Sequence, residues 1–249
     1  MDYSDALVEE NRLFGELIRQ ADPDHPVPTC PEWTVRQLFR HLGRGDRWAA
    51  AMVAEKSEQP LDPRAVSGGK PPADPDEAID WLHGGPSALI DAVAQTGPHT
   101  PVWTFLGPRP AAWWIRRRLH EATVHRADAA LALGLPYELS PALAADGISE
   151  WLDISAHAGS DRPAPLDPGS TLHLHAFEDT LGNAGEWSIS RGDNAITWDN
   201  SHTKAGAAVR GRAMDLLLAL TRRLSAAEAN VEVLGDQQIW ETWLERTAF

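Results

Sequence analysis

Glu121 and His125 carry the clearest chemistry in this chain. They lie four apart in the run Leu119-His120-Glu121-Ala122-Thr123-Val124-His125-Arg126-Ala127-Asp128. In a helix that spacing stacks two side chains on one face, about 40° apart around the axis. A carboxylate and an imidazole so placed can close on one metal ion. His120 precedes His125 by five positions, points roughly 140° away from it and has no such claim. The run looks like the zinc-protease pattern of His-Glu, two residues, His, with one residue too many. Here the glutamate would itself be a ligand, not a base between two ligating histidines.

Two ligands do not make a site, and a third should come from another helix. His41 is the best-placed candidate, flanked by apolar residues on a separate predicted helix. The alternative is a buried polar contact between a histidine and a glutamate on facing helices. Asp128, three past His125, is placed to orient a ligating imidazole, or else is a helix charge that pairs with Arg117 or Arg118. Arg117, one turn before Glu121, is a candidate cation for an anionic substrate. Cys30 is the single cysteine, set between Thr29 and Pro31 just outside a helix. The chain offers no obvious nucleophile of its own. His173 and His175 face one side of a predicted strand and can ligate metal, but no third ligand lies near them in sequence.

The elements that must position these residues are legible from hydrophobic period and breakers. Helices are predicted over about 3–21, 34–55 (with Thr34 as N-cap), 76–94 and 111–133. Four helices of this length, joined partly by long loops, predict a bundle with its site between facing helices. Gly68-Gly69-Lys70, in the loop over 59–76, lacks a following Ser or Thr and a preceding strand, so it is no phosphate cradle. A further helix over 140–156 precedes a Pro- and Asp-rich linker over 159–169. Strands are predicted over 171–177, over 186–191 and 195–198 as a hairpin across Gly192-Asp193-Asn194, and over 207–210 and 230–234. Helices are predicted over 214–224 and 237–246. The fold class is thus α plus α+β, with a helix bundle over 1–157 and a small α+β domain over 165–249.

The 249 residues carry a formal net charge of −14, 43% hydrophobic residues and 23% charged residues. A broadly acidic surface repels phosphate backbones, which argues against nucleic-acid binding. No run approaches the ~18 consecutive apolar residues of a membrane span. The acidic start, without a basic segment and apolar core, and the lone cysteine predict a cytoplasmic protein without an internal disulfide. Eleven tryptophans are predicted mainly as core and helix-packing aromatics; some can wall a pocket for a bulky substrate.

The stretch Val27-Pro28-Thr29-Cys30-Pro31-Glu32-Trp33-Thr34-Val35-Arg36-Gln37-Leu38-Phe39-Arg40-His41-Leu42 resembles the N-terminal signature of the mycothiol-dependent maleylpyruvate isomerase family. Glu121, His125 and Asp128 match its second signature. The segment from Val209 to Arg223 resembles the helix-opening stretch of its C-terminal domain. The resemblance implies a DinB-like four-helix bundle followed by an α+β domain of sterol-carrier-protein type. It implies a divalent metal, usually zinc, on His41, Glu121 and His125, and mycothiol as a diffusible thiol cosubstrate. It also implies an arginine of the C-terminal domain at the substrate. Arg223 matches an arginine of that motif, and Arg210, Arg212 and Arg222 stay open as alternatives for this residue.

Three protein ligands leave a fourth position open, as in catalytic zinc sites. Zinc lowers the pKa of a bound thiol and so delivers a thiolate at neutral pH. The expected enzyme is a mycothiol-dependent isomerase or S-transferase acting on a small electrophile, as a monomer or weak homodimer. Two other classes stay open: a non-catalytic binding or sensing module with a structural metal, and a metal-dependent hydrolase. A site of two histidines and a glutamate suits several divalent metals.

Overall fold

Each long helix of the N-terminal half has an apolar stripe that needs a neighbour to cover it. The computed structural model describes residues 1–157, 163–192 and 195–247. Helix α1, Tyr3–Ile18, begins where the Asp2 carboxylate accepts from the Ser4 amide at 2.8 Å and buries Leu7, Phe14 and Ile18. Helix α2, Val35–Ala54, starts at Thr34, whose amide donates to Gln37 Oε1 at 2.8 Å. That side chain satisfies an amide the helix itself leaves unpaired. Helix α3, Pro75–Thr96, opens on Asp74 and Pro75. Helix α4, Trp113–Leu133, ends at Gly134, where φ of 64° suits a residue without Cβ. Packing runs α1 to α4, α4 to α2, α2 to α3 and α3 to α1, which closes a four-helix bundle. Two short strands, β1 (Pro101–Val102) and β2 (Arg109–Pro110), pair in the loop before α4.

α4 has no clean apolar stripe. It buries Arg117, Arg118, His120, Thr123, His125, Arg126 and Asp128 beside its apolar residues. Buried charges are tolerated only when paired. Arg126 donates to both carboxylate oxygens of Glu10 on α1, at 2.8 and 3.1 Å. Arg118 donates through Nε to Asp46 Oδ1 on α2 at 2.8 Å and through Nη2 to Leu42 O at 3.1 Å. Gly45 makes room for it, since a Cβ there would lie 2.6 Å from the guanidinium. These pairs fix the rotation of α4 relative to α1 and α2, and so the direction in which Glu121 and His125 point.

The chain divides into two compact units after Tyr137. The boundary expected near residue 157 therefore moves forward, and α5 (Pro141–Ala156) goes with the second unit. Side chains explain why. Tyr137 is tied to the bundle, donating to Thr123 O at 3.0 Å under the Arg126 guanidinium. Ser149 and Asp153 of α5 instead accept from the Trp187 and Trp198 indoles of the following sheet.

That sheet contains β3 (Thr171–Ala176), β4 (Glu186–Arg191), β5 (Ile196–Asp199), β6 (Ala207–Gly211) and β7 (Glu232–Gly235), in the order β5-β4-β3-β6-β7. Only the β3–β6 pair is parallel among the described strands. Leu172 and Leu174 are buried on one face of β3, and the alternation puts His173 and His175 on the other. A 3-10 segment, Asp179–Gly185, precedes β4, where the sequence showed no periodic signal. Helix α6, Ala213–Leu220, is shorter than the predicted 214–224. Arg222 takes a left-handed φ of 61° and the Arg223 amide returns to Leu218 O, which ends the helix. Helix α7, Gln237–Arg246, follows β7. The predicted linker over 159–169 and the hairpin turn at 192–194 fall partly outside the described residues. No described helix is long and apolar enough to cross a membrane.

Candidate metal centre

The α2 and α4 helices bring His41, Glu121 and His125 together. Glu121 Oε2 lies 3.3 Å from His41 Nε2 and 3.4 Å from His125 Nε2. Ligands about 2.1 Å from an ion in tetrahedral directions stand about 3.4 Å apart. The two separations therefore match the edges of a tetrahedral site before any side chain moves. The three ligand atoms lie within 4.8 Å of one another. The His41 and His125 rings meet edge to face, with centroids 4.9 Å apart. The donor set fits a borderline divalent ion such as zinc.

The two oxygens of Glu121 have separate duties. Oε1 accepts from Arg117 Nη2 at 2.5 Å, while Oε2 faces both imidazoles, with Arg118 Nη1 at 3.5 Å. Burial alone would raise the Glu121 pKa; the Arg117 charge and the His125 and His41 hydrogen bonds hold it well below the carboxylate range. Arg117, a candidate substrate cation, is buried and donates to Glu121. Arg223, the other expected substrate cation, lies in the second unit and donates to Thr221 O at 2.8 Å.

Asp128 is fully buried, and its Oδ2 lies 2.8 Å from His125 Nδ1. This contact leaves Nε2 turned toward Glu121 and fixes the ring orientation. The same oxygen accepts from Cys30 Sγ at 3.3 Å. Burial would lower the His125 pKa, but the bonds to Asp128, Cys30 and Glu121 outweigh it and push the ring up to about 10. His41 goes the other way, because burial outweighs its bond to Glu121 and lowers its pKa. The two imidazoles of the centre are therefore shifted in opposite directions.

Trp33 closes one side. Its ring sits 4.8 Å from His41 and stacks 6.1 Å from His125. It is delivered by the loop between α1 and α2, where Glu32 takes a left-handed φ of 68° and the Val27 amide donates to Trp33 O at 2.8 Å. The Pro-x-Trp-Thr-Val stretch therefore builds a turn, an aromatic wall and a helix cap in succession. His41 keeps 39% of its side chain exposed, so the centre opens to solvent on that side.

A second aromatic group lies two turns along both helices. Trp48 is seven residues after His41, and Trp114 is seven before Glu121; their rings meet edge to face at 5.2 Å. Trp103, Trp113 and Phe105 extend the cluster, and Phe105 is half exposed. The spacing places it about 10 Å along the helix axes from the ligands. A separate cavity of about 560 Å³, lined by Arg47, Ala50, Leu61, Val66 and Ala88 among others, holds none of the ligands.

Sequence reasoning missed Asp46 and the full use of Cys30. Arg118 pairs with Asp46 and not with Asp128, and Cys30 reaches a residue 98 positions away. No local pattern marks such contacts.

The family model for the mycothiol maleylpyruvate isomerase N-terminal domain matches residues 4–130, and that for the MDMPI C-terminal domain matches residues 142–242. Two solved structures share the fold: a mycothiol-dependent maleylpyruvate isomerase and a histidine-to-alanine mutant of it. Their TM-scores are 0.57 and 0.58; each is 15% identical and the match covers 90% of this chain and 89% of theirs. That level of identity speaks for the fold alone. The β-galactosidase Bga of Halorubrum lacusprofundi aligns at 29% identity over 139 residues. The alignment takes in 51% of this chain but only 19% of that enzyme, and carries no functional statement here.

Proposed function

The chain belongs to the mycothiol maleylpyruvate isomerase family, and from that premise we propose that it is a metal-dependent enzyme that uses mycothiol, or a similar low-molecular-weight thiol, against a small electrophile. His41, Glu121 and His125 would hold the ion. When bound, a divalent metal such as zinc supplies Lewis acidity that favours the thiolate form of a thiol at neutral pH. The observation that carries the reading is the position of Glu121 Oε2 at 3.3 and 3.4 Å from the two imidazole nitrogens.

The chain's other residues prepare that centre. Asp128 holds the His125 ring and its tautomer. Arg117 occupies Glu121 Oε1 and leaves Oε2 as a single donor. Arg118, held by Asp46, backs the carboxylate with only a long hydrogen bond of 3.5 Å from Nη1 to Oε2. Trp33 covers one flank and excludes water there. The exposed edge of His41 gives the thiol and the electrophile their approach. With Cys30 occupied by Asp128, the sulfur nucleophile comes from the cosubstrate. Addition of the thiolate to an unsaturated carbon, bond rotation and elimination give cis–trans isomerisation of the maleylpyruvate type; retention of the new C–S bond gives S-transfer.

The test is consumption of electrophile by the zinc-loaded chain with and without mycothiol. The reading predicts turnover that needs both metal and thiol and is abolished in His41→Ala. Hydrolysis of esters or amides without thiol would replace it with the metal-dependent hydrolase, and absence of any thiol-dependent rate across an electrophile panel would leave a binding module.

A further inference from the structure

The β3–β4 register creates a second cluster of metal-ligating groups, confined to the second unit. His175 stands opposite Glu186, and His173 stands opposite Ser188, so His173 and Glu186 are diagonal neighbours on one face. His173 Nε2 lies 2.8 Å from Glu186 Oε2. His175 Nδ1 lies 2.8 Å and His202 Nδ1 3.1 Å from Glu186 Oε1. The His173 and His202 rings meet edge to face at 4.9 Å. Three imidazoles, two from β3 and one from the segment after β5, thus converge on the one carboxylate of Glu186 on β4.

That segment is held in place around His202. Asn200 Nδ2 donates to Glu186 O at 2.8 Å, and Ser188 Oγ bonds Ser201 O at 2.8 Å and Thr203 Oγ1 at 2.6 Å. Ser188 is the residue opposite His173, so the strand pair that positions one imidazole also anchors the segment that brings the other. His173 is 6% exposed, whereas His202 is 72% exposed. One ligand is therefore fixed, and the other is free to adjust to an incoming ion.

We propose that His173, Glu186 and His202 form a second divalent transition-metal site, which clasps residues 200–203 to the sheet. The ligand atoms of these three residues lie within 4.8 Å of one another. Around an ion with bonds of about 2.1 Å, adjacent ligands stand roughly 3.0–3.4 Å apart. The 2.8 Å from His173 Nε2 reaches Glu186 Oε2 and the 3.1 Å from His202 Nδ1 reaches Oε1, so an ion between the two rings would take both carboxylate oxygens or draw the exposed His202 toward Oε2. His175 Nδ1 lies on Glu186 Oε1, the oxygen that His202 also approaches, and orients the carboxylate. Two imidazoles and one carboxylate select zinc, cobalt, nickel or copper over calcium and magnesium. The bundle centre shares no residue with this cluster, so the two sites can be tested apart.

The experiment uses the full, tag-free chain carrying Glu121→Ala and His125→Ala, which removes the bundle centre. Cobalt(II) is titrated while its visible d–d absorption is followed, and zinc is then added as competitor. The expected result is one cobalt per chain with a spectrum of nitrogen and oxygen ligands, displaced by zinc. Adding His202→Ala should weaken binding at least about tenfold with the metal-free melting curve unchanged, because that ring is largely exposed. Absence of cobalt binding, or an affinity that His202→Ala leaves unchanged, would overturn the site.

Discussion

His125 Nδ1 and Asp128 Oδ2 are 2.8 Å apart, and the aspartate that makes this contact has no exposed surface. A buried carboxylate on the far nitrogen of a ligating imidazole sets both ring angle and tautomer. Asp128→Asn keeps the shape but removes the charge. Zinc affinity, measured by competition with a chromophoric chelator, should fall about 10–100-fold while the far-ultraviolet circular dichroism stays unchanged. Unaltered affinity would reduce Asp128 to a structural partner of Cys30.

The same contact fixes the sign of a pH dependence. In the metal-free chain His125 is pushed up to about 10, so near neutral pH the ion must displace a proton from it. Apparent zinc affinity should rise by up to about one decade per pH unit from neutrality toward pH 10, with proton release detectable by calorimetry in buffers of different ionisation enthalpy. Stability runs the other way. A raised folded-state pKa contributes stability that is full below about 6.5, the unfolded value, and is lost as pH rises through about 10. Metal-free protein should therefore lose melting temperature over that window, and zinc-loaded protein should lose less. A flat affinity profile would contradict the protonation assigned to His125.

Asp46 tests the support beneath the centre. Its carboxylate is fully buried against Arg118, which also caps Leu42 O. Asp46→Ala leaves the buried guanidinium with Glu121 Oε2 at 3.5 Å but without its nearest carboxylate, at a cost of about 3–5 kcal/mol. Chemical denaturation should show that loss, and metal affinity should fall with it because Arg118 turns toward Glu121. A cost under about 1 kcal/mol would place the pair among ordinary surface bridges.

Cys30 separates two sources of sulfur. Its thiol donates to Asp128 and is not among the candidate ligands His41, Glu121 and His125. Cys30→Ser retains a donor at that position. Mycothiol-dependent kcat/KM should stay within about fivefold, since the serine hydroxyl still donates to the Asp128 carboxylate and a change of roughly 1 kcal/mol in one hydrogen bond is about a factor of five. A loss of several orders of magnitude would make Cys30 the nucleophile.

The parts of this arrangement that sequence exposes are the local ones. Glu121 and His125 share a face because four residues nearly complete a turn, and no partner is needed to see it. The strands over 171–177 and 186–191 follow from period two, which also put His173 and His175 on one side. The polar pairings did not show. Arg118 finds Asp46 across 72 positions and Cys30 finds Asp128 across 98, with no period to mark them. The missing partners of His173 were hidden for the same reason: Glu186 and His202 arrive through strand register and a tethered segment. The boundary at Tyr137 depended on which indoles α5 would meet, and the early end of α6 on the backbone of Arg222.

Anomalous-scattering crystallography at the zinc edge, on the zinc-loaded chain, locates the ion at the bundle centre. It reads position and not merely content. The account predicts a peak about 2.0–2.2 Å from His41 Nε2, Glu121 Oε2 and His125 Nε2, and its disappearance in Glu121→Ala. A fully loaded crystal with no anomalous density among these three residues would contradict it.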